Sequence, residues 1–361
     1  LEAPKRAPID WKNPEYYDRQ SLEEEMERVF DACHGCRRCV SLCDAFPTLF
    51  DLIDESDTFE VDGVDKGDYI KVVDECFLCD LCAETKCPYL PPHEWAIDFP
   101  HLMLRAKAVK HESKKSRWRD KVLTSTDVTL GAASSPGIAP IVNKALGSKT
   151  IRKALDKSVG IHSEAPIPKF ARPTKTFSNS SVERQDAQDQ LKVAIFATCY
   201  DKNTESPLIE DLTAIFNHNA IHTKIIWDVN CCGMPKLELG DLNQVEKSKN
   251  TNLPHLIAAI DEDYKIVSAI PSCVLMFKQE LPLMFPEQQE LIKIRDNFFD
   301  PFEYLMLHVK QEKINLEFKH SLGKVSYHSA CHQRVQNVGA KTREFLSLIP
   351  GSEVDMIERC S

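Results

Sequence analysis

The sequence predicts a multidomain α plus α/β chain: a mostly helical N-terminal head, then α/β repeats with largely parallel sheets. Three observations carry this. Cysteine triplets, which sit naturally in turns at helix ends, crowd residues 33–87. After residue 191, short apolar runs of strand type alternate with helical patterns, the signature of a parallel sheet. Charge is also unevenly spread: the balance is -13 over residues 1–106, +9 over 107–192 and -6 beyond. The chain therefore divides into an acidic head (1–106), a basic connector and linker (107–190) and an α/β region (191–361).

The 361 residues suffice for two or three domains with an ample core. A net charge of -10 argues against nucleic acid as a partner of the whole chain. There is no run of 18 apolar residues to span a membrane. No signal-peptide pattern is visible, although Leu1 is not a start Met. Fourteen cysteines, mostly in metal-like spacings, fit a reducing, cytoplasmic setting better than a disulfide scaffold.

Taken in order, residues 1–20 read as an extended arm rich in Pro and charge. Ser21-Leu-Glu-Glu24 reads as a capping box opening a helix through Met26, Val29 and Phe30. That helix leads into Cys33-His-Gly-Cys36-Arg-Arg-Cys39, with Cys43 following. After an acidic insert comes Cys76-Phe-Leu-Cys79-Asp-Leu-Cys82, with Cys87-Pro88 following. Three thiolates at this spacing wrap one corner of an iron–sulfur cube, and the fourth comes from elsewhere. In two-cluster ferredoxins the fourth Cys of each run serves the other run's cluster. The expectation is two [4Fe–4S] clusters, one on Cys33, Cys36, Cys39 and Cys87, the other on Cys76, Cys79, Cys82 and Cys43. Zinc is the alternative, but triplets leave surplus thiols around a tetrahedral ion. Gly35, Arg37 and Arg38 would favour the reduced, more negative state of the first cluster. The clustered acids at 51–65 read as a solvated face, or as a docking edge for a basic redox partner.

Residues 98–108 read as a helix and 107–121 as a polar helix. Residues 124–140 read as irregular, and 164–190, rich in Pro and Ser, as linker. Apolar Ile141, Val142, Ile151 and Leu155 among Lys and Arg fit packing on the protein, or a peripheral contact with an anionic membrane face. Beyond 191, strands are expected at 193–198, 225–229, 266–270, 325–328 and 354–357. Each leads into a cysteine group: Cys199, Cys231-Cys232, Cys273, Cys331 and Cys360. Ligands of parallel α/β sheets bind beyond the carboxyl ends of the strands, where these groups fall.

Cys199, Cys231-Cys232-Gly233-x-Pro235 and Pro271-Ser-Cys273 resemble the CCG, or cysteine-rich, domain. With the double triplet, nearly the whole chain is similar to the D-type subunits of heterodisulfide reductases, a group that includes the iron–sulfur subunit of anaerobic glycerol-3-phosphate dehydrogenase. The resemblance implies an α-helical ferredoxin head and two CCG repeats, each able to hold an iron–sulfur centre. Here Ile270 replaces one Cys of the first repeat, leaving Cys199, Cys231, Cys232 and Cys273 to bind a third iron–sulfur centre or zinc. The second repeat starts at His328-Ser-Ala-Cys331-His332 and stops at Cys360-Ser361, so it reads as incomplete and C-terminally truncated. Cys331 and Cys360 would complete or flank the first site.

The function implied is that of an iron–sulfur oxidoreductase subunit in electron transport. Electrons would pass through the two cubanes to the CCG site and on to a disulfide, a quinone or a protein. The alternative is a non-catalytic electron-carrier scaffold whose CCG domain holds structural zinc. No GxGxxG precedes a helix, so flavin would belong to a partner: a flavin dehydrogenase, or else a diiron peroxide-scavenging protein. The cytoplasm, with peripheral contact at the inner face of the membrane, is the setting this implies.

Overall fold

Asp18 starts the head. In the computed structural model, which describes residues 6–172 and 190–357, its carboxylate accepts from the Ser21 amide at 2.8 Å and opens the helix Arg19–Cys36. The capping box expected at Ser21-x-x-Glu24 is therefore displaced. Ser21 lies inside the helix, and Glu24 instead accepts from Gln20 at 2.9 Å. A carboxylate at the cap satisfies a free N–H and also meets the positive end of the helix dipole. Leu22, Met26, Val29 and Phe30 form the buried stripe of this helix. Helices Ala45–Asp54, Tyr69–Asp74 and Phe99–Glu112 close around it. Their rings interlock, with Phe30 5.0 Å from Tyr69 and Phe46 4.7 Å from Phe99 between centroids.

The boundary expected at residues 106/107 falls inside the helix Phe99–Glu112. The stretch 124–140, expected to be irregular, instead holds helix Thr126–Ala133 and the start of helix Ala139–Leu146. Ser and Thr usually weaken helices by competing for backbone groups. Here Thr124, Ser125 and Thr129 turn their hydroxyls onto carbonyls four residues back, at 2.7, 2.6 and 3.0 Å. Ser134, buried, donates to Asn203 at 2.7 Å, which ties the segment to the α/β region. A further helix, Lys149–Val159, follows.

Strands β1 (Lys192–Phe196), β2 (His222–Ile226), β3 (Lys265–Val267) and β4 (Phe298–Phe299) form one parallel sheet in the order β2-β1-β3-β4. β5 (Lys324–His328) and β6 (Glu353–Ile357) form a second parallel pair. The predicted α plus α/β architecture is what the chain adopts. β4 escaped the sequence reading because two residues carry no period. β2 begins three residues before the run expected at 225–229, because His222, Thr223 and Lys224 are pulled into register with Lys192, Val193 and Ala194.

Head and α/β region share one apolar core, in which Phe30 and Phe46 belong to the same cluster as Phe196, Phe277 and Phe298. The arm straps this junction: Ile9 and Trp11 are buried, and the Trp11 indole donates to the Met284 carbonyl at 3.2 Å. Gly240 permits the closest approach. Its φ is +83°, and a Cβ there would fall 2.4 Å from the Lys107 backbone.

Candidate metal centres

The first triplet begins on the last turn of helix Arg19–Cys36, which Arg37 ends with φ 49°. Cys33, Cys36 and Cys39, together with Cys87 from beyond the second triplet, line one cavity of about 30 Å³ with Arg38, Phe46 and Phe50. Burial, and then the neighbouring sulfurs of Cys39, Cys87 and Cys36, push the Cys33 thiol up. Burial also raises Cys87, against amide donors from Tyr89 and Leu90. The Tyr89 hydroxyl donates to Cys36. Arg37 is turned outward, where it forks onto Asp54 and lies over the Phe50 ring at 5.0 Å. Arg38, not Arg37, is the cation at this cavity.

The second triplet lies in a loop where Leu78 and Asp80 take φ of 49° and 60°. Alternation of right- and left-handed residues turns amides inward, a geometry that receives anions. The Leu78 amide accordingly donates to Cys76, and the Leu81 amide to Cys79. Cys43, from beyond the first triplet, neighbours both Cys76 and Cys79, and Cys76 and Cys79 neighbour Cys82. Burial pushes Cys76 up to about 11 and raises Cys82 further. Thiols that resist ionisation through burial and mutual repulsion become thiolates when a metal cation sits among them. Both sets therefore fit the donor chemistry of an iron–sulfur cluster. Among the described residues, no three Cys, His, Asp or Glu side chains converge tightly enough for a single ion. Four thiols spread around a cavity suit a cluster, where each binds its own iron.

Asp80, inside the second triplet, opens onto a buried charge cluster. Arg6 meets Asp80 at 2.5 Å and Asp98 at 2.7 Å, with Glu280 at 3.7 Å; the Arg6 side chain is 2% exposed. His101 lies between Asp98 (3.1 Å) and Glu280 (3.3 Å). Burial would strip its proton, but the two carboxylates hold it and raise the imidazole to about 9. Burial lifts Asp80 to about 7 against the pull of Arg6.

The third thiol set stands at the carboxyl edge of the four-stranded sheet. Cys199 follows β1 and Cys273 follows β3, on either side of the point where strand order reverses, and Cys231-Cys232 follow β2. Gly233, with φ +101°, turns the chain into the helix Met234–Leu239, and its amide donates to Cys231. Cys199 and Cys232 also donate to Cys231, so Cys231 is held well down while Cys199 is pushed up. The Cys232 sulfur also lies beside Cys273.

Sequence reasoning missed what encloses this set. The connector helix Thr126–Ala133 lies against helix Cys199–Asn203. Both carboxylate oxygens of Asp127 accept from the Cys231 amide, at 3.0 and 2.9 Å, across 104 residues of sequence. The buried Thr126 hydroxyl faces Cys199 and Cys231 and has no conventional hydrogen-bond partner among the described residues. An orphaned donor aimed at two sulfurs fits an anionic, metal-bound thiolate set. Asn252, fully buried, holds the loop by accepting from the Asn230 amide at 2.7 Å and donating to the Cys231 carbonyl at 3.2 Å. Half-buried Lys107 lies near both Cys76 and Glu238, whose carboxyl burial raises to about 7. Cys331 lies beside Cys79 of the second triplet, and Cys360 lies outside the described residues.

A helical, thiol-bearing head is thus followed by a parallel sheet with thiols at its carboxyl edge. Residues 193–278 match the family described as a cysteine-rich domain, CCG. The C subunit of anaerobic glycerol-3-phosphate dehydrogenase from Escherichia coli (strain K12) is 27% identical over 258 residues, 71% of this chain and 64% of the relative. The protein of that name from Escherichia coli O157:H7 gives the same figures. Citrate utilization protein B of Escherichia coli is 32% identical over 85 residues, 24% of this chain and 20% of the relative. The chain thus spans just under two thirds of the dehydrogenase subunits it matches. No solved structure matches it. Among the described residues, no helix is long and apolar enough to cross a membrane.

Proposed function

We propose that this chain is an electron-transfer subunit with two [4Fe–4S] centres in its head and a third metal centre in its CCG domain. The observation that carries the reading is the sorting of the eight head thiols. Cys33, Cys36, Cys39 and Cys87 line one cavity, while Cys43 neighbours Cys76 and Cys79, which in turn neighbour Cys82; Cys39 also lies near Cys82, where the two groups approach, and this supports one set of four around each triplet with its fourth member from beyond the other. Iron–sulfur clusters, when bound, supply single-electron uptake and release. The chain's own part is to hold the three thiol sets in one shared core, exclude water from them and direct amides at the sulfurs. Lys107, near both Cys76 and Glu238, places a positive charge close to the second set.

In the CCG domain, Cys199, Cys231, Cys232 and Cys273 would hold either iron or zinc, because four thiolates do not choose the metal. Zinc there corresponds to the second reading, an electron-carrier scaffold without a substrate. Anaerobic purification followed by iron, sulfide and zinc analysis separates the two. About twelve irons per chain is the expected result; about eight plus one zinc supports the scaffold. Colourless, iron-free protein rejects both.

The dehydrogenase relatives are by name subunits of a larger enzyme, which supports a redox partner for this chain; a flavin dehydrogenase as electron donor is the one we propose. A diiron peroxide-scavenging protein is the other partner to seek by co-purification. The acceptor would be a disulfide, a quinone or a protein. The basic connector exposes Trp118, Val128 and Ile141, which supports peripheral binding to anionic membrane, testable as salt-sensitive liposome binding.

A further inference from the structure

The motif His328-Ser-Ala-Cys331-His332 follows a strand, as Cys199 follows β1, and by that position its cysteine belongs to a second metal site of the α/β region. Its surroundings also face the head. The short helix Cys331–Arg334 packs on helix Pro271–Leu275 and faces the head. The Cys331 thiol lies beside the sulfur of Cys79, the middle cysteine of the second triplet, and when Cys79 is a coordinating thiolate only Cys331 has a proton to donate. His332 Nε2 lies 3.3 Å from the Leu78 carbonyl, the residue before Cys79. A carbonyl only accepts, so Nε2 carries the proton, and Nδ1 accepts from the Ser272 hydroxyl at 2.7 Å. Gln336 donates to the Pro271 carbonyl at 3.2 Å. Asn337 donates to Glu84, beyond Cys82, at 3.1 Å. Contacts from Cys331, His332 and Asn337 thus run from this segment to the loop Cys76–Glu84.

We propose that Cys331 and His332 are positioning residues of the second head centre: the Cys331 thiol donates to the Cys79 sulfur, His332 clamps the Leu78 carbonyl, and together they raise that centre's reduction potential. The inference rests on the cluster assignment proposed above. A hydrogen bond to a coordinating sulfur is worth more when the centre carries the extra negative charge, so donors favour the reduced form. Leu78 holds φ 49°, a conformation that costs a non-glycine residue free energy, and the imidazole contact on its carbonyl helps to fix it with the amide toward Cys76. His332 also joins this loop to Ser272, the neighbour of Cys273, so the support spans the second and third thiol sets.

The test is an EPR-monitored redox titration of the anaerobically purified full chain, with iron and sulfide counted on every sample. Cys331→Ala is expected to keep all its iron and to lower the one-electron reduction constant of the second head centre about tenfold, about 59 mV. The first head centre should not move. Cys331→Ser, which keeps a donor, should recover most of the shift, and His332→Ala should give a smaller shift of the same sign. An unmoved potential in Cys331→Ala with full iron overturns the inference and leaves the electron-transfer reading standing. Loss of iron from Cys331→Ala also overturns it, by making Cys331 a ligand. Iron-free wild-type chain overturns the electron-transfer reading and this inference together.

Discussion

The head and the CCG domain both gather thiols, but by different means. In the head, six of eight sulfurs come from two short stretches, and the amide donors lie close by in sequence: Leu78 to Cys76, Leu81 to Cys79, and Tyr89 to the outlying Cys87. In the CCG domain, three strand ends each contribute, and the groups that enclose the set, Thr126 and Asp127, arrive from the connector. A local site needs little else to form. A site assembled from strand ends depends on every distant segment that closes it.

The largest test of this contrast is ligand removal. Cys79→Ala should abolish one head signal in EPR and lower iron by about four per chain, while Cys273→Ala leaves both head signals intact. Loss of a head signal in Cys273→Ala would show that the two regions are not separable sites.

The junction between them supplies the next largest effect. Arg6→Met strands Asp80, Asp98 and Glu280 in a buried position and should cost about 3–5 kcal/mol in denaturant unfolding. The same cluster sets a pH dependence. The folded-state pKa of His101 is raised from 6.5 to about 9, so its contribution is fully present below pH 6.5 and is lost as pH rises through 9. His101→Asn should therefore destabilise the chain more at about pH 6 than at about pH 9.5. An equal loss at both pH values would show that His101 is neutral in the fold.

The smallest effect sharpens the dependence of the CCG site on the connector. Asp127→Ala leaves the Cys231 amide without its acceptor and should cost about 1–3 kcal/mol. In metal-free protein, alkylation of Cys231 and Cys232 should then accelerate while Cys76 and Cys82 are unaffected. Equal protection in the variant would return the connector to a passive linker.

How much was legible follows the same division. The triplets, the CCG signature and the alternation of strands and helices are local patterns, and they foretold the fold class and where the thiols stand. β4 was not legible because Phe298–Phe299 is too short to show a period. The helix Thr126–Ala133 was not legible because its Ser and Thr content reads as loop until the hydroxyls turn inward and Asn203 seats Ser134. Asp127 leaves no trace at all: one acid in a basic stretch looks solvated, and only the fold sets it beneath Cys231.

Spacing alone determined that three cysteines of each run stand within one short stretch, the pattern that suits a shared iron–sulfur centre. Tertiary structure decided the rest: that Cys331 meets Cys79 rather than Cys199, that Arg6 locks the arm onto Asp80, and that the connector covers the third thiol set. Hydrogen bonds and buried charges act over about 3 Å, so they belong to neighbours in space, and a chain carries no local record of who those neighbours will be.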